Sequence, residues 1–128
     1  MLKVEDLHHV SIPVTDAERS RKFYKFILGL EEIERPNFGF PGVWFRLGSR
    51  QLHLIQHSEA KTLRGTNEID SRDGHFALRV RSYRETREHL IKLRISFLDR
   101  PVNPTPWPQI YITDPDGNVI ELNAAELD

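Results

Sequence analysis

The chain has 128 residues, 18 Lys or Arg against 19 Asp or Glu, a net charge of −1 and no Cys. That length suits one domain or two half-domains sharing a core, and it needs no disulfide or structural metal merely to fold. Without Cys there is no disulfide scaffold, Cys-ligated zinc site, Fe–S cluster or thiol nucleophile, and the intermixed charge leaves no footprint for nucleic acid or acidic lipid. No apolar run approaches the length of a membrane span and no signal peptide is evident, so a cytoplasmic location is the default expectation.

In chain order, residues 7–14 read as a strand. Asp16 can cap a helix that runs to about Leu28 and stops at Gly29, with Phe23, Phe26, Ile27 and Leu30 as its apolar stripe. Strands follow near 31–35, 42–47 and 50–56, and Gly48-Ser49 turns the last two into a hairpin. The segment 36–42, with two Pro, two Gly and two Phe, is a turn-rich flap that offers aromatic contacts. Residues 58–73 are polar and aperiodic, which marks a linker or the cover of a site. The order then restarts: a strand at 75–80, and a helix from Tyr83 capped by Ser82 with Glu85 completing a capping box. Strands follow near 95–99, 108–113 and 118–123, the last two joined by the turn Asp114-Pro115-Asp116-Gly117-Asn118.

The halves repeat each other. His9 and His53 are 44 residues apart and His75 and Glu121 are 46 apart, and the text around them echoes: His9–Val14 against His75–Val80, and Gln51–Ile55 against Val119–Asn123. The expected fold is therefore α+β. Two βαβββ modules, about 5–57 and 74–124, are related by an internal pseudo-twofold and form a cupped mixed sheet with the helices outside, in a single domain.

Strand alternation sorts the side chains onto two faces. His9 lies opposite Val10, Ile12 and Val14; His53 opposite Leu52 and Leu54; His75 opposite Phe76, Leu78 and Val80; Glu121 opposite Ile120 and Leu122. The apolar sets are expected beneath the helices, and the four titratable residues are expected on a common concave surface. Imidazole and carboxylate are the usual ligands of zinc, nickel, cobalt, manganese and ferrous iron. Any one of these residues alone reads more simply as a satisfied polar group on a half-wet sheet. Four at repeat-related positions point to one divalent metal ion. Arg46 and Arg79 fall on the inward parity and are candidates for a substrate carboxylate, while Trp44 and Tyr111 are candidates to wall a pocket, as are Phe38, Phe40 and Trp107. His8, His57 and His89 read as surface residues.

Four blocks carry a family resemblance: residues 7–16, the helix end 23–30, residues 74–80 and residues 114–122. In order, over nearly the whole chain, they resemble the vicinal oxygen chelate superfamily, which includes glyoxalase I, methylmalonyl-CoA epimerase, extradiol dioxygenases and fosfomycin-resistance proteins. The nearest match is to glyoxalase-like members. The resemblance implies that His9, His53, His75 and Glu121 hold the metal. It also implies that Glu121 is the base of a lyase or isomerase acting on a small oxygenated substrate through an enediolate-type intermediate, in a homodimer. His53 departs from the pattern, since glyoxalase I has a carboxylate at that position and the epimerases have Gln. The rival readings are a ferrous extradiol-type dioxygenase and a non-catalytic ligand-binding or resistance protein.

Overall fold

The computed structural model describes all residues, 1–128, as two compact units, Met1–Leu63 and Arg64–Asp128. In the first unit, β1 (His9–Val14) leads into α1 (Ala17–Lys22), a π-helical turn (Phe23–Ile27), β2 (Glu31–Ile33), β3 (Gly42–Leu47) and β4 (Arg50–Gln56). Its sheet has the order β1-β4-β3-β2, with β1 parallel to β4 and the other pairs antiparallel. In the second unit, β5 (His75–Arg79), α2 (Tyr83–Lys92), β6 (Leu98–Arg100), β7 (Gln109–Thr113) and β8 (Val119–Asn123) repeat the order as β5-β8-β7-β6, again with one parallel pair. Two four-stranded mixed sheets, each with a helix, make the fold α+β, as the repeated sequence text requires. No helix is long and apolar enough to cross a membrane.

Register carries the repeat down to single residues. Ser11 lies beside His53 across β1 and β4, and Ala77 lies beside Glu121 across β5 and β8. Trp44 faces His53 from β3, and Tyr111 faces Glu121 from β7. His53 and Glu121 thus hold the same place in their sheets, as do Trp44 and Tyr111.

Local chemistry sets the element ends. The Asp16 side chain accepts from Arg19 N at 3.1 Å and starts α1. The helix then widens: Leu28 N donates to Phe23 O, a five-residue step, before Gly29 leaves at φ +69. The wider turn rephases the apolar stripe. The expected member Phe26 is 66 % exposed, while Ala17, Ser20, Phe23 and Tyr24 are buried, and Tyr24 meets Phe45 of β3 at a ring separation of 6.0 Å. The core of this unit is the face that carries Val14, Val43, Phe45, Leu52 and Leu54.

Ser82 caps α2 as expected, accepting from Glu85 N at 3.0 Å, and its hydroxyl also donates to Asp128. The helix ends through Arg94 at φ 58, with Ile95 N bonded to Leu90 O. That closure uses the residues that alternation assigned to a strand, so β6 begins only at Leu98. The later part of the expected linker is fastened down within the second unit. Arg64 bonds Asp73 at 2.7 Å and Gly117 O at 2.7 Å. Asp114 organises the β7–β8 turn by accepting from Asp116 N and Asn118 N, each at 2.9 Å.

Candidate functional site

Each sheet presents its polar row on the face away from its helix-side core, and each unit brings two ligand-type side chains to that face. The expected four-residue metal cluster is not assembled in the structure: no three or more His, Cys, Asp or Glu side chains are gathered closely enough to hold a metal ion.

In the first unit, His9, His53 and Trp44 form a stack. His9 and His53 have ring centroids 4.1 Å apart, and His53 and Trp44 lie 4.0 Å apart with planes within 4°. His53 is buried, between Leu52 and Leu54 on β4. Burial is the main reason its imidazole is pulled down to about 4, with the neighbouring charges of His9, His8 and Arg35 pushing the same way. It is therefore neutral at physiological pH, the form that binds metals. Its Nε2 lies 2.8 Å from Gln51 Oε1. With Gln51 Oε1 accepting from Nε2–H, the lone pair of the neutral ring lies on Nδ1, which is the nitrogen left to meet a ligand. His8, exposed as expected, precedes β1 and so escapes the strand alternation, and its Nδ1 lies 2.8 Å from His9 Nδ1.

In the second unit the equivalent positions carry a carboxylate and its donors. Glu121, 7 % exposed, accepts from the Tyr111 hydroxyl at 3.0 Å through Oε1 and from Asn123 Nδ2 at 2.5 Å through Oε2. A buried carboxylate is costly without such donors. Asn123 cannot turn its amide over, because Arg79 Nε donates to its Oδ1 at 2.7 Å and a guanidinium has no acceptor to offer. Burial, then the hydrogen bond to Glu121, push the Tyr111 hydroxyl up to about 12, which keeps it a donor.

His75 completes this cluster and gives the test for a cation. Its Nδ1 lies 2.7 Å from Asp73 O, and a carbonyl only accepts, so Nδ1 carries the proton. In the neutral ring Nε2 then bears a lone pair, and it lies 3.5 Å from Glu121 Oε1. Two acceptors face one another there. A cation between them, either a second proton on the ring or a metal ion, resolves the repulsion, and a neutral imidazole beside a carboxylate is the donor set of a borderline divalent metal. By residue type His75 and Glu121 fit such an ion, and they supply two of the donors it needs.

The remaining candidates fall as follows. Arg46 is exposed and pairs with Glu31 at 3.0 Å. Arg79 engages Asn123, and Tyr111 engages Glu121. Trp44 stacks on His53. Trp107 lies in the Pro-rich segment before β7, its backbone carbonyl held by Asn103 and Thr105. His57 and His89 are exposed. Gln51 and Asn123 were missed in the sequence, although each stands two residues from His53 or Glu121 and therefore on the same face. Strand alternation was the signal that could have found them.

Known proteins resemble the chain in sequence and in fold. The chain is 27 % identical over 124 residues to Glyoxylase I 4 of Arabidopsis thaliana, covering 94 % of this chain and 71 % of that protein. It is 26 % identical to the Metallothiol transferase FosB of Lysinibacillus sphaericus, covering 98 % and 86 % of the two chains. Among solved structures, a Bacillus anthracis protein assigned to the glyoxalase family superposes with a TM-score of 0.78 at 26 % identity, over 97 % of this chain and 98 % of the other. The model of the Glyoxalase/Bleomycin resistance protein/Dioxygenase superfamily matches residues 6–122, and the chain belongs to that superfamily.

Proposed function

We propose that the protein is a metal-dependent lyase or isomerase of the glyoxalase type, with His9, His53, His75 and Glu121 as metal ligands and a small oxygenated molecule as substrate. The observation that carries this reading is the buried Glu121 facing the unprotonated nitrogen of His75, with a second ligand-type pair, His9 and His53, at the corresponding register positions of the other unit. The similarity to Glyoxylase I 4 supports the same choice of reaction class.

When bound, a zinc, nickel, cobalt, manganese or ferrous ion supplies Lewis-acid stabilisation to negative charge that builds on the substrate's oxygens. The protein's own residues do the rest. Glu121 is the group that accepts the substrate's carbon-bound proton at a carboxylate oxygen and returns it to the neighbouring carbon. Asn123 and Tyr111 hold that carboxylate in place, and Tyr111 keeps its own proton throughout. His53 stays neutral, so it adds a ligand without adding charge. Trp44 and His53 exclude water from their side of the first sheet by stacking.

The test has two stages. Protein purified without added metal is analysed for bound metal, and its melting temperature is measured with zinc, nickel, cobalt and manganese. Turnover of methylglyoxal plus a thiol is then assayed in each metal. Stoichiometric metal with isomerised product supports the reading. Dioxygen consumption with a catechol under ferrous iron would move the assignment to the extradiol class. Neither bound metal nor any thermal shift would end it.

A further inference from the structure

His75 and Glu121 stand on neighbouring parallel strands, β5 and β8, and His75 pairs with Val119 at the start of both. Parallel strands are not joined by a hairpin, so no tight turn fixes where one starts against the other. One side chain spans the two starts. Arg64, whose side chain is 11 % exposed, donates from Nε to Asp73 Oδ2 at 2.7 Å and from Nη1 to Gly117 O at 2.7 Å. Asp73 lies two residues before His75, and Gly117 two before Val119. The same Nη1 reaches Thr66 O at 3.4 Å, and that carbonyl packs so closely on Gly117 that a Cβ there would lie 1.8 Å from it. Asp73 is fixed at its other oxygen too, where Oδ1 accepts from Gly74 N at 2.8 Å.

The position of Asp73 decides which nitrogen of His75 is free. In the singly protonated ring two acceptors compete for one proton: Asp73 O at 2.7 Å from Nδ1, and Glu121 Oε1 at 3.5 Å from Nε2. The shorter contact prevails and leaves the lone pair on Nε2, toward the carboxylate. Were Asp73 O to move away, the proton would pass to Nε2 and donate to Glu121 instead. An isolated Arg–Asp pair at a surface contributes little to stability. This guanidinium is largely covered and also binds the backbone of the turn before β8, with donors that diverge from one rigid plane as those of an ammonium cannot. We propose that Arg64 is a positioning residue for the His75–Glu121 pair, holding Asp73 so that Nε2 keeps its lone pair facing the carboxylate. That this lone pair serves a metal rests on the proposed function; the tautomer itself does not.

The experiment reads the His75 tautomer from long-range magnetic couplings between ring protons and ring nitrogens in isotope-labelled, chelator-treated protein, at a pH where the ring carries one proton. Loss of the signals in His75→Gln assigns them. The unaltered protein is expected to show Nδ1–H. Arg64→Met, or Arg64→Gln should the first variant fold poorly, is expected to move most of the population to Nε2–H. Ser82→Ala, weakened at the cap of α2, keeps Nδ1–H and so separates positioning from a general loss of stability. Nε2–H in the unaltered protein, Nδ1–H retained in a folded Arg64 variant, or an equal shift in Ser82→Ala would each overturn the proposal. Zinc titration of the same samples reads the proposed function. Loss of Arg64 weakens zinc binding by about tenfold or more, the scale of a disturbed outer-shell partner, while Ser82→Ala leaves it unchanged. A tautomer shift with no zinc bound by the unaltered protein sinks only the proposed function, and zinc bound with no tautomer shift sinks only this inference.

Discussion

Glu121 is held at both oxygens by Tyr111 and Asn123, so a substitution there separates the two roles proposed for it. Glu121→Gln keeps an oxygen that can meet a metal and removes the carboxylate proposed to accept the proton. Metal content is expected to fall modestly, while turnover falls by about a hundredfold or more, the scale of a lost general base. His53→Gln exchanges one neutral ligand for another and is expected to keep measurable activity with a changed metal preference. Metal analysis and steady-state kinetics on both variants decide it; normal turnover by Glu121→Gln beside a dead His53→Gln would place proton transfer elsewhere. His53 also predicts a pH dependence. Its imidazole sits at about 4 in the folded metal-free protein against an ordinary 6.5, so below 6.5 the unfolded chain takes up a proton that the folded chain refuses. The stability tied to this group is complete above pH 6.5 and is lost as pH falls to about 4. Denaturant midpoints of metal-free protein across that window should fall less steeply in His53→Gln than in the unaltered chain.

Between single residues and whole sheets, the turns and caps carry the next set of consequences. Gly117 has φ +81, and a Cβ there would lie 1.8 Å from Thr66 O. Gly117→Ala therefore costs about 1–3 kcal/mol for the left-handed backbone alone, with the collision in addition. Because this turn leads into β8, which carries Glu121, urea denaturation and metal affinity are expected to worsen together. Ser82→Ala loses the cap on Glu85 N and the contact to Asp128, and about 1 kcal/mol of stability with them. That loss should appear in denaturation and leave metal affinity unchanged, since α2 supplies no ligand. Element positions were largely legible in advance: β3, β4 and the start of α2 fall where alternation, the Gly48-Ser49 turn and the capping box put them. The π-helical turn at Phe23–Ile27 and the left-handed closure at Arg94 were not legible. Both depend on which backbone hydrogen bond a helix end selects, and neither residue text carries a breaker that announces it.

Over the whole molecule, metal removal is the broadest check. A ligand that binds only the folded state stabilises it by about 2.7 kcal/mol at a hundred times its dissociation constant, so chelation should lower the melting temperature and metal should restore it. Calorimetry in the presence and absence of chelator measures this directly, and an unchanged melting temperature would count against bound metal. By itself the sequence determined the repeated βαβββ order, the faces on which His9, His53, His75 and Glu121 lie, and membership of the superfamily. Period-two alternation, turn residues and helix caps are local properties that a chain displays in its text. Only the tertiary structure decided the partners. Cross-strand register brings Trp44 onto His53 and Tyr111 onto Glu121, and Arg79 locks the Asn123 amide from 44 residues away. The burial that lowers His53, the carbonyl that fixes the His75 tautomer and the bonds from Arg64 to Asp73 and Gly117 were equally invisible. The reason is physical: a hydrogen-bond donor, an acceptor or a desolvated site acquires its meaning from what the folded chain sets beside it, and that neighbour is chosen by register and packing.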